Sequence, residues 1–424
     1  MPSKILIIGA GFAGVWSALS AKRLIKLMHK EQDIEILVVA PEPWLTLRPR
    51  LYEPNPSSMK QPLAPLFKAA GIGFFQGTVE AIDTNSQTVH GKASSGDEFD
   101  LAYDRLILAA GSAVVRPQRV TGLEQYAFDI DSLAGATELE THLKSLESLP
   151  DRPGRNTVVV CGGGFTGIEI ATELPNMLKH IENPRIVLVE SASDVGPELG
   201  AGPRPTIMKA LDSLGVKLKL KAAITAVDEN GVDLASGERV EAMTVIWTAG
   251  VRATRLTREI SAKKDTLSRL YVDQDLRVPG CEHVFATGDA ANAATDTKGN
   301  VAMMSCQHAI LLGRFSGHNA AADLLGIPTL PYSQPGYGTC LDLGPWGAMV
   351  SNGWDREVTV TGQVAKQVKR YVNRKLIILP DTAKEALDAA DPASYDSESP
   401  LKRALGVLGF TLRNCIGTYG TKLG

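Results

Sequence analysis

Short, wholly apolar runs alternate along the chain with longer stretches in which apolar side chains recur every three or four residues. Lys4-Ile5-Leu6-Ile7-Ile8 is too short for a helix and too uniformly apolar for a half-exposed strand, so it predicts a buried parallel strand. Gly9-Ala10-Gly11-Phe12-Ala13-Gly14 follows at once, then a helical stretch over Val15–His29 and a second strand over Ile34–Ala40. The same order begins again near position 156. A strand over Thr157–Cys161 leads to Gly162-Gly163-Gly164-Phe165-Thr166-Gly167, a helix over Ile168–His180 and a closing strand over Arg185–Val189. Pro175 is expected to bend that helix or to cut it in two.

The glycine spacing gives each turn a mechanical reading. Gly9 and Gly162 permit the tight turn, Gly11 and Gly164 let a pyrophosphate approach the backbone, and Gly14 and Gly167 let helix and strand pack closely. The first N–H groups of each helix then face the anion, with the helix dipole behind them. One such turn is a weak signal, whereas two complete strand–turn–helix–strand units in one chain are a strong one. They predict an α/β fold with two Rossmann-like dinucleotide-binding domains. The units differ at the end of their closing strands. The second ends in Glu190, a carboxylate suited to the ribose hydroxyls of NAD and repelled by the 2′-phosphate of NADP. Ser191–Asp194 supplies no arginine for such a phosphate, so this turn reads as a site for NADH. In the first unit Ala40 stands where the acid is expected; Glu42, two residues on, either substitutes for it or is an exposed loop residue.

Composition narrows the alternatives. A length of 424 residues suits two or three domains, and a net charge of −3 gives no sign of a nucleic-acid binder. The five cysteines have neither C-x-x-C spacing nor the pattern of a disulfide framework. No metal-binding set of ligands emerges from the spacing, and no metal is expected. Scattered cysteines suit a reducing compartment, the strand at Lys4 leaves no room for a signal peptide, and no apolar run approaches the ~20 residues of a membrane-spanning helix. The expected location is therefore cytoplasmic.

Taken in order, these motifs resemble the two-dinucleotide flavoprotein reductases: type II NADH dehydrogenases, apoptosis-inducing-factor-like flavoproteins, ferredoxin reductases and pyridine nucleotide–disulfide reductases. Leu106–Ser112, containing Ala110 and Gly111, resembles the segment that leaves the FAD domain, and Val245–Val251, containing Ala249 and Gly250, resembles its counterpart on returning from the NAD domain. Val284-Phe285-Ala286-Thr287-Gly288-Asp289 is similar to the second FAD fingerprint, whose aspartate binds the ribityl and pyrophosphate part. Gly77-Thr78-Val79 resembles the strand whose backbone meets the adenine. Glu169 matches a family position near the nicotinamide. The resemblance implies FAD and NADH as cofactors and covers roughly residues 1–330. An FAD domain in two parts (1–115 and 253–330) would enclose an NAD domain (116–252). Residues 331–424 would form a C-terminal α+β interface domain, which in the family covers the flavin and lies at the membrane surface.

Type II NADH dehydrogenases are the nearest resemblance, through Phe12-Ala13 and Thr166-Gly167-Ile168-Glu169. Their quinone-site helix A-Q-x-A-x-Q-Q-G aligns with Cys306–Gly313. Gln307, Ala309 and Gly313 match, but the second glutamine falls on Leu311 or Leu312. The acceptor is thus left between a quinone and another small molecule. Ala40–Lys60 holds none of the cysteines that relay electrons in related oxidases, and Cys306 reads as an inert thiol. Of Arg48 and Arg50, one is expected to serve the flavin cofactor by charge, and the sequence does not decide which.

Further on, glycine-rich strands over 331–375 lead into a basic helical stretch, Lys366 to Lys375, and Asp381–Pro400 reads as a polar loop. Leu401, Leu405, Leu408 and Leu412 form a helical apolar stripe. It suits peripheral contact with a membrane, packing on the body, or a second subunit in a homodimer. Alternatives to an NADH:acceptor enzyme are a reductase docking a protein such as a ferredoxin, and an NADH-sensing flavoprotein with little turnover.

Overall fold

In the computed structural model, which describes residues 2–395, the first apolar run becomes the strand Ser3–Ile8 at the interior of a mixed sheet. Its neighbours are Ile34–Ala40 on one side and Arg105–Leu108 on the other, both parallel to it. Beyond Arg105–Leu108 lies Cys281–Ala286, again parallel, so residues from both ends of the matched motifs share one sheet. Outside Ile34–Ala40 the long strand Gly73–Asp83 turns into an antiparallel ribbon with Thr88–Ala93 and Glu98–Ala102. Ile5, Leu6 and Ile7 are completely buried because both faces of the sheet are covered, which is why this strand reads as a continuous apolar run.

The second apolar run repeats the plan on a smaller scale. Thr157–Cys161 is flanked by Arg185–Val189 and Thr244–Trp247, and Lys217–Lys219 completes a parallel four-stranded sheet. The chain passes between the two sheets at one place. Ser112–Val114 pairs antiparallel with Val251–Ala253, and the Trp247 indole N–H donates to the Val115 carbonyl at 2.9 Å.

Helix Phe12–Leu27 of the first turn packs closely on helix Cys306–Leu325. Gly313 and Gly317 make this possible, since a Cβ would stand 2.4 Å from the Ala13 carbonyl oxygen and 2.0 Å from that of Ser17. The Ser17 and Ser316 hydroxyls complete the contact at 3.0 Å. Helix Phe165–Met177 of the second turn is continuous through Pro175, which lies in its last turn; it is not cut in two, and it ends at Met177.

A three-stranded antiparallel sheet, Gly338–Asp342, Ala348–Asn352 and Glu357–Thr361, follows the first sheet's last strands. It leads into the basic helix Gly362–Tyr371 and a π-helical turn, Val372–Leu376. This portion docks directly on the second-turn helix: a Cβ on Gly344 would lie 1.9 Å from the Thr172 carbonyl oxygen. The stretch expected as a loop from Asp381 contains the helix Ala383–Ala389. Thr382 caps it by accepting from the Glu385 N–H, while its own hydroxyl donates to the Glu385 carboxylate. Ala386 and Leu387 are buried. The leucine stripe over Leu401–Leu412 lies outside the described residues. No helix among the described residues is long and apolar enough to cross a membrane.

Candidate functional site

The two glycine turns are the same device built twice. Gly9 and Gly162 both adopt positive φ, +106° and +110°. A side chain on either would strike the strand end opposite: Ala109 at 2.3 Å in one case, Ala249 at 2.9 Å in the other. A Cβ on Gly14 would stand 1.9 Å from the Gly9 carbonyl oxygen, and one on Gly167 1.8 Å from that of Gly162. These four glycines are demanded by packing. Gly11 differs, because among the described residues nothing lies within 4 Å of its Cβ position, and the same is true of Gly111 and Gly250. Their faces are open backbone edges at the C-terminal ends of parallel strands, where an α/β sheet accepts its ligand. The turn residues therefore fit a dinucleotide at both places.

Around the first turn the remaining motifs converge. A Cβ on Gly288 would lie 2.7 Å from the Cβ of Ala13 and 3.7 Å from that of Ala309, so the starts of helices Phe12–Leu27 and Cys306–Leu325 meet at this point. Asp289 is held beside them, accepting from the Ser112 hydroxyl at 2.6 Å. The Arg48 guanidinium lies 3.7 Å from the same carboxylate, bonds to Asp131 and donates to the Ser112 carbonyl at 3.3 Å. Burial raises the Asp289 pKa, with Arg48 and Ser112 opposing. Burial also works against the Arg48 cation, but Asp131 and Asp289 hold it above the ordinary arginine value. Arg50 points elsewhere and closes on Glu53 at 2.8 Å. Val79 is buried in the part of its strand that runs past the end of Ile34–Ala40, and Glu42 is exposed just after that end. Ala110 and Gly111 follow one residue beyond the end of the strand Arg105–Leu108.

At the second turn Glu190 is buried, and its carboxylate accepts from the N–H groups of Gly163 and Ala192, each at 2.7 Å. It thus sits against the turn itself, within reach of whatever the turn holds. Gly164 faces the carboxylate of Glu198, which accepts from the Phe165 N–H at 2.7 Å. Ala249 and Gly250 follow the strand Thr244–Trp247, as Ala110 and Gly111 follow theirs.

Glu169, one turn into the second helix, anchors a buried polar network that sequence reading did not anticipate. It pairs with Lys369 of the basic helix at 2.8 Å and accepts from the Asp342 N–H at 3.0 Å. The Tyr52 hydroxyl donates to Asp342 at 2.9 Å, Lys366 bonds to the same carboxylate, and Asn373 donates to Tyr52 and to Glu53. Burial pushes the Glu169 carboxyl up to about 7 even though Lys369 pulls the other way. Burial disfavours the Lys369 ammonium, yet Glu169, foremost among the surrounding groups, carries its pKa above the usual lysine range. A cavity of about 150 Å³, lined by Glu173, Asp342, Lys366, Lys369 and Asn373 among others, opens beside the network. A lysine and asparagine at helical spacing, Lys369 and Asn373, were the available signal. They read only as part of a basic stretch.

Gln307 is the second residue of helix Cys306–Leu325 and is partly buried. Leu311 and Leu312, at the position of the second glutamine, are fully buried in an apolar cluster with Leu276, Ala302 and Tyr332. Cys306 is shielded, and burial raises its thiol to about 11, so it is not ionised at neutral pH.

Residues 3–313 match the pyridine nucleotide-disulphide oxidoreductase family. The chain belongs to that family. It is 40% identical over 399 residues to an NADH dehydrogenase-like protein of Mycobacterium tuberculosis, covering 92% of this chain and 98% of the relative. It is 28% identical to a demethylphylloquinone reductase of Synechocystis (87% of this chain, 91% of the relative). A type II NADH:quinone oxidoreductase of Staphylococcus saprophyticus is 24% identical, over 88% and 95% of the two chains. Among solved structures, NDH2 of Plasmodium falciparum in complex with NADH superposes with a TM-score of 0.73 at 15% identity, covering 92% of this chain and 97% of that one. This family member therefore keeps the fold along most of its length, while the sequence has diverged widely.

Proposed function

We propose that this oxidoreductase is an FAD-dependent NADH dehydrogenase that passes electrons on to a quinone or a similar small acceptor without a cysteine relay. The observation that carries the reading is the duplicated cradle, Gly9/Gly14/Gly111 and Gly162/Gly167/Gly250, with Glu190 against the second copy. The dehydrogenase-like and quinone-reductase relatives support the same class of reaction.

FAD, when bound, supplies the redox chemistry by accepting a hydride from NADH and giving up electrons to the acceptor. The chain's own residues then do the positioning. Gly9, Gly11, Ala13 and Gly14 with Ala110, Gly111 and Gly288 would form the backbone cradle of FAD, and Val79 and Glu42 would border its adenosine. Asp289 would accept from the sugar part, kept in place by Ser112 and Arg48, whose cation also balances nearby phosphate charge. Gly162, Gly164, Gly167, Ala249 and Gly250 would hold NADH, with Glu190 on the ribose. Glu169 would stand near the nicotinamide end. With a carboxyl at about 7 and an ammonium 2.8 Å away, the Glu169–Lys369 pair can hold or release a proton at neutral pH. Gln307 would face the acceptor side, and Ala309, beside Gly288, would border FAD. Contact with a membrane surface through the C-terminal leucine stripe would bring a lipid-soluble acceptor within reach.

Anaerobic titration of the purified yellow protein tests the entry half: NADH should bleach the flavin, and NADPH should be far less effective. Turnover is then compared with quinone, ferricyanide and dioxygen. Bleaching by NADPH alone would overturn the role of Glu190, and failure with every quinone would overturn the acceptor.

A further inference from the structure

The two glycine turns match in backbone but not in what stands before them. In front of Gly11, among the described residues, nothing lies within 4 Å of a Cβ position. In front of Gly164 stands Glu198: its Oε1 would be 2.8 Å from a Cβ on that glycine and accepts from the Phe165 N–H at 2.7 Å. Phe165 is the first residue of the second-turn helix, so a carboxylate occupies the place where a dinucleotide's pyrophosphate has to sit. The loop that carries it is part of the turn. The Gly196 N–H donates to the Gly163 carbonyl at 2.8 Å, Leu199 is buried, and Glu198 sits between them in the short turn Pro197–Leu199. The side chain itself is exposed, and among the described residues this one hydrogen bond is all that holds it.

We infer that Glu198 is an internal competitor for the pyrophosphate seat and sets the affinity of the second turn for its dinucleotide. This rests on the reading of that turn as the NADH site. Two anions cannot share one N–H donor at hydrogen-bond distance, so the pyrophosphate has to turn the Glu198 carboxylate outward before it can bind. The anchored backbone lets the side chain swing without unfolding the loop. The competition falls on phosphate alone. A ligand with adenosine contacts but no pyrophosphate leaves Glu198 where it is. NADH and NAD⁺ carry the same pyrophosphate, so both are weakened equally, which favours release of the oxidised product.

The test is calorimetric titration of the FAD-loaded protein and its Glu198→Gln and Glu198→Ala variants with adenosine and with ADP-ribose. Gln keeps a neutral acceptor for the Phe165 N–H and so guards against a folding defect. ADP-ribose should bind about tenfold tighter to both variants, as expected when one charge-assisted hydrogen bond no longer has to be broken. Adenosine should bind all three proteins alike, and the KM for NADH should fall with the ADP-ribose constant. Unchanged or weaker ADP-ribose binding in the variants overturns the inference while leaving the NADH site standing. Adenosine tightening as much as ADP-ribose overturns it too, since the loop rather than the charge would then be responsible. If neither NADH nor ADP-ribose binds any of the three, the NADH reading fails and takes the inference with it.

Discussion

Lys369 holds its ammonium 2.8 Å from the Glu169 carboxylate, both side chains almost wholly buried, and so ties the basic helix to the helix of the second glycine turn. Removing one partner of a buried pair leaves an uncompensated charge and typically costs about 3–5 kcal/mol, whereas replacing both is often close to neutral. Lys369→Met should therefore lower the free energy of unfolding by roughly that amount. The double variant Lys369→Met/Glu169→Leu should regain most of the loss. Denaturant titration of the three proteins checks this, and equal stability of the single and double variants would contradict it.

The glycines separate by what surrounds them. Gly14→Ala forces a Cβ to within 1.9 Å of a backbone oxygen, so it should destabilise the protein by at least about 3 kcal/mol or prevent folding. Gly11→Val projects into open space and should fold within about 1 kcal/mol of the parent, yet come off the column colourless. Thermal unfolding and flavin absorbance of the two proteins give the comparison. A yellow Gly11→Val protein would remove Gly11 from the cofactor cradle.

Glu190 lies against the second turn through the Gly163 N–H. Glu190→Gln combined with Ser191→Arg removes the acid and adds a cation for a 2′-phosphate. The ratio of kcat/KM for NADH to that for NADPH should fall at least about tenfold, the loss of one good hydrogen-bonded contact. Steady-state kinetics with the two cofactors decides it, and an unchanged ratio would locate the discrimination elsewhere.

His308 is buried in a stack with Tyr337, its ring 4.9 Å away, and Trp354 beyond, and its Nδ1 lies 2.9 Å from the Ser305 hydroxyl. Burial, with Arg269 and Arg356 adding to it, lowers its pKa from 6.5 to about 4. A group with a depressed folded pKa contributes stability that is complete above its unfolded value and is lost as pH falls through the folded one. Between pH 6.5 and about 4 this residue should cost on the order of 3 kcal/mol of stability. His308→Phe should flatten the acid limb of a melting-temperature profile across that window. A profile identical to the parent's would show that His308 is not the group responsible.

What the sequence revealed and what it hid follow from how far each interaction reaches. The glycine turns, Glu190 and the fingerprint around Asp289 are local patterns, and each strand–turn–helix unit appears where its residues predict it. Lys369 could not be read as the partner of Glu169, because only the docking of Gly344 on the second helix brings them together. Arg48 and Arg50 are alike in sequence, and what separates them is the partner each finds: Asp131 and Asp289 for one, Glu53 three residues on for the other. The helix Ala383–Ala389 was legible after all, in the capping pair Thr382 and Glu385, but an acidic composition masked it.

The ribbon of Ser112–Val114 and Val251–Ala253 has a consequence for how such a chain could arise and be rebuilt. Everything between those strands leaves the first sheet and returns to it at a single point, with the two ends hydrogen-bonded side by side. A segment whose ends already touch can be grafted into a host, or lifted out and its host resealed, with little loop to close. The second cofactor unit is in that sense a cassette, and the doorway it was plugged into is three residues wide on each side.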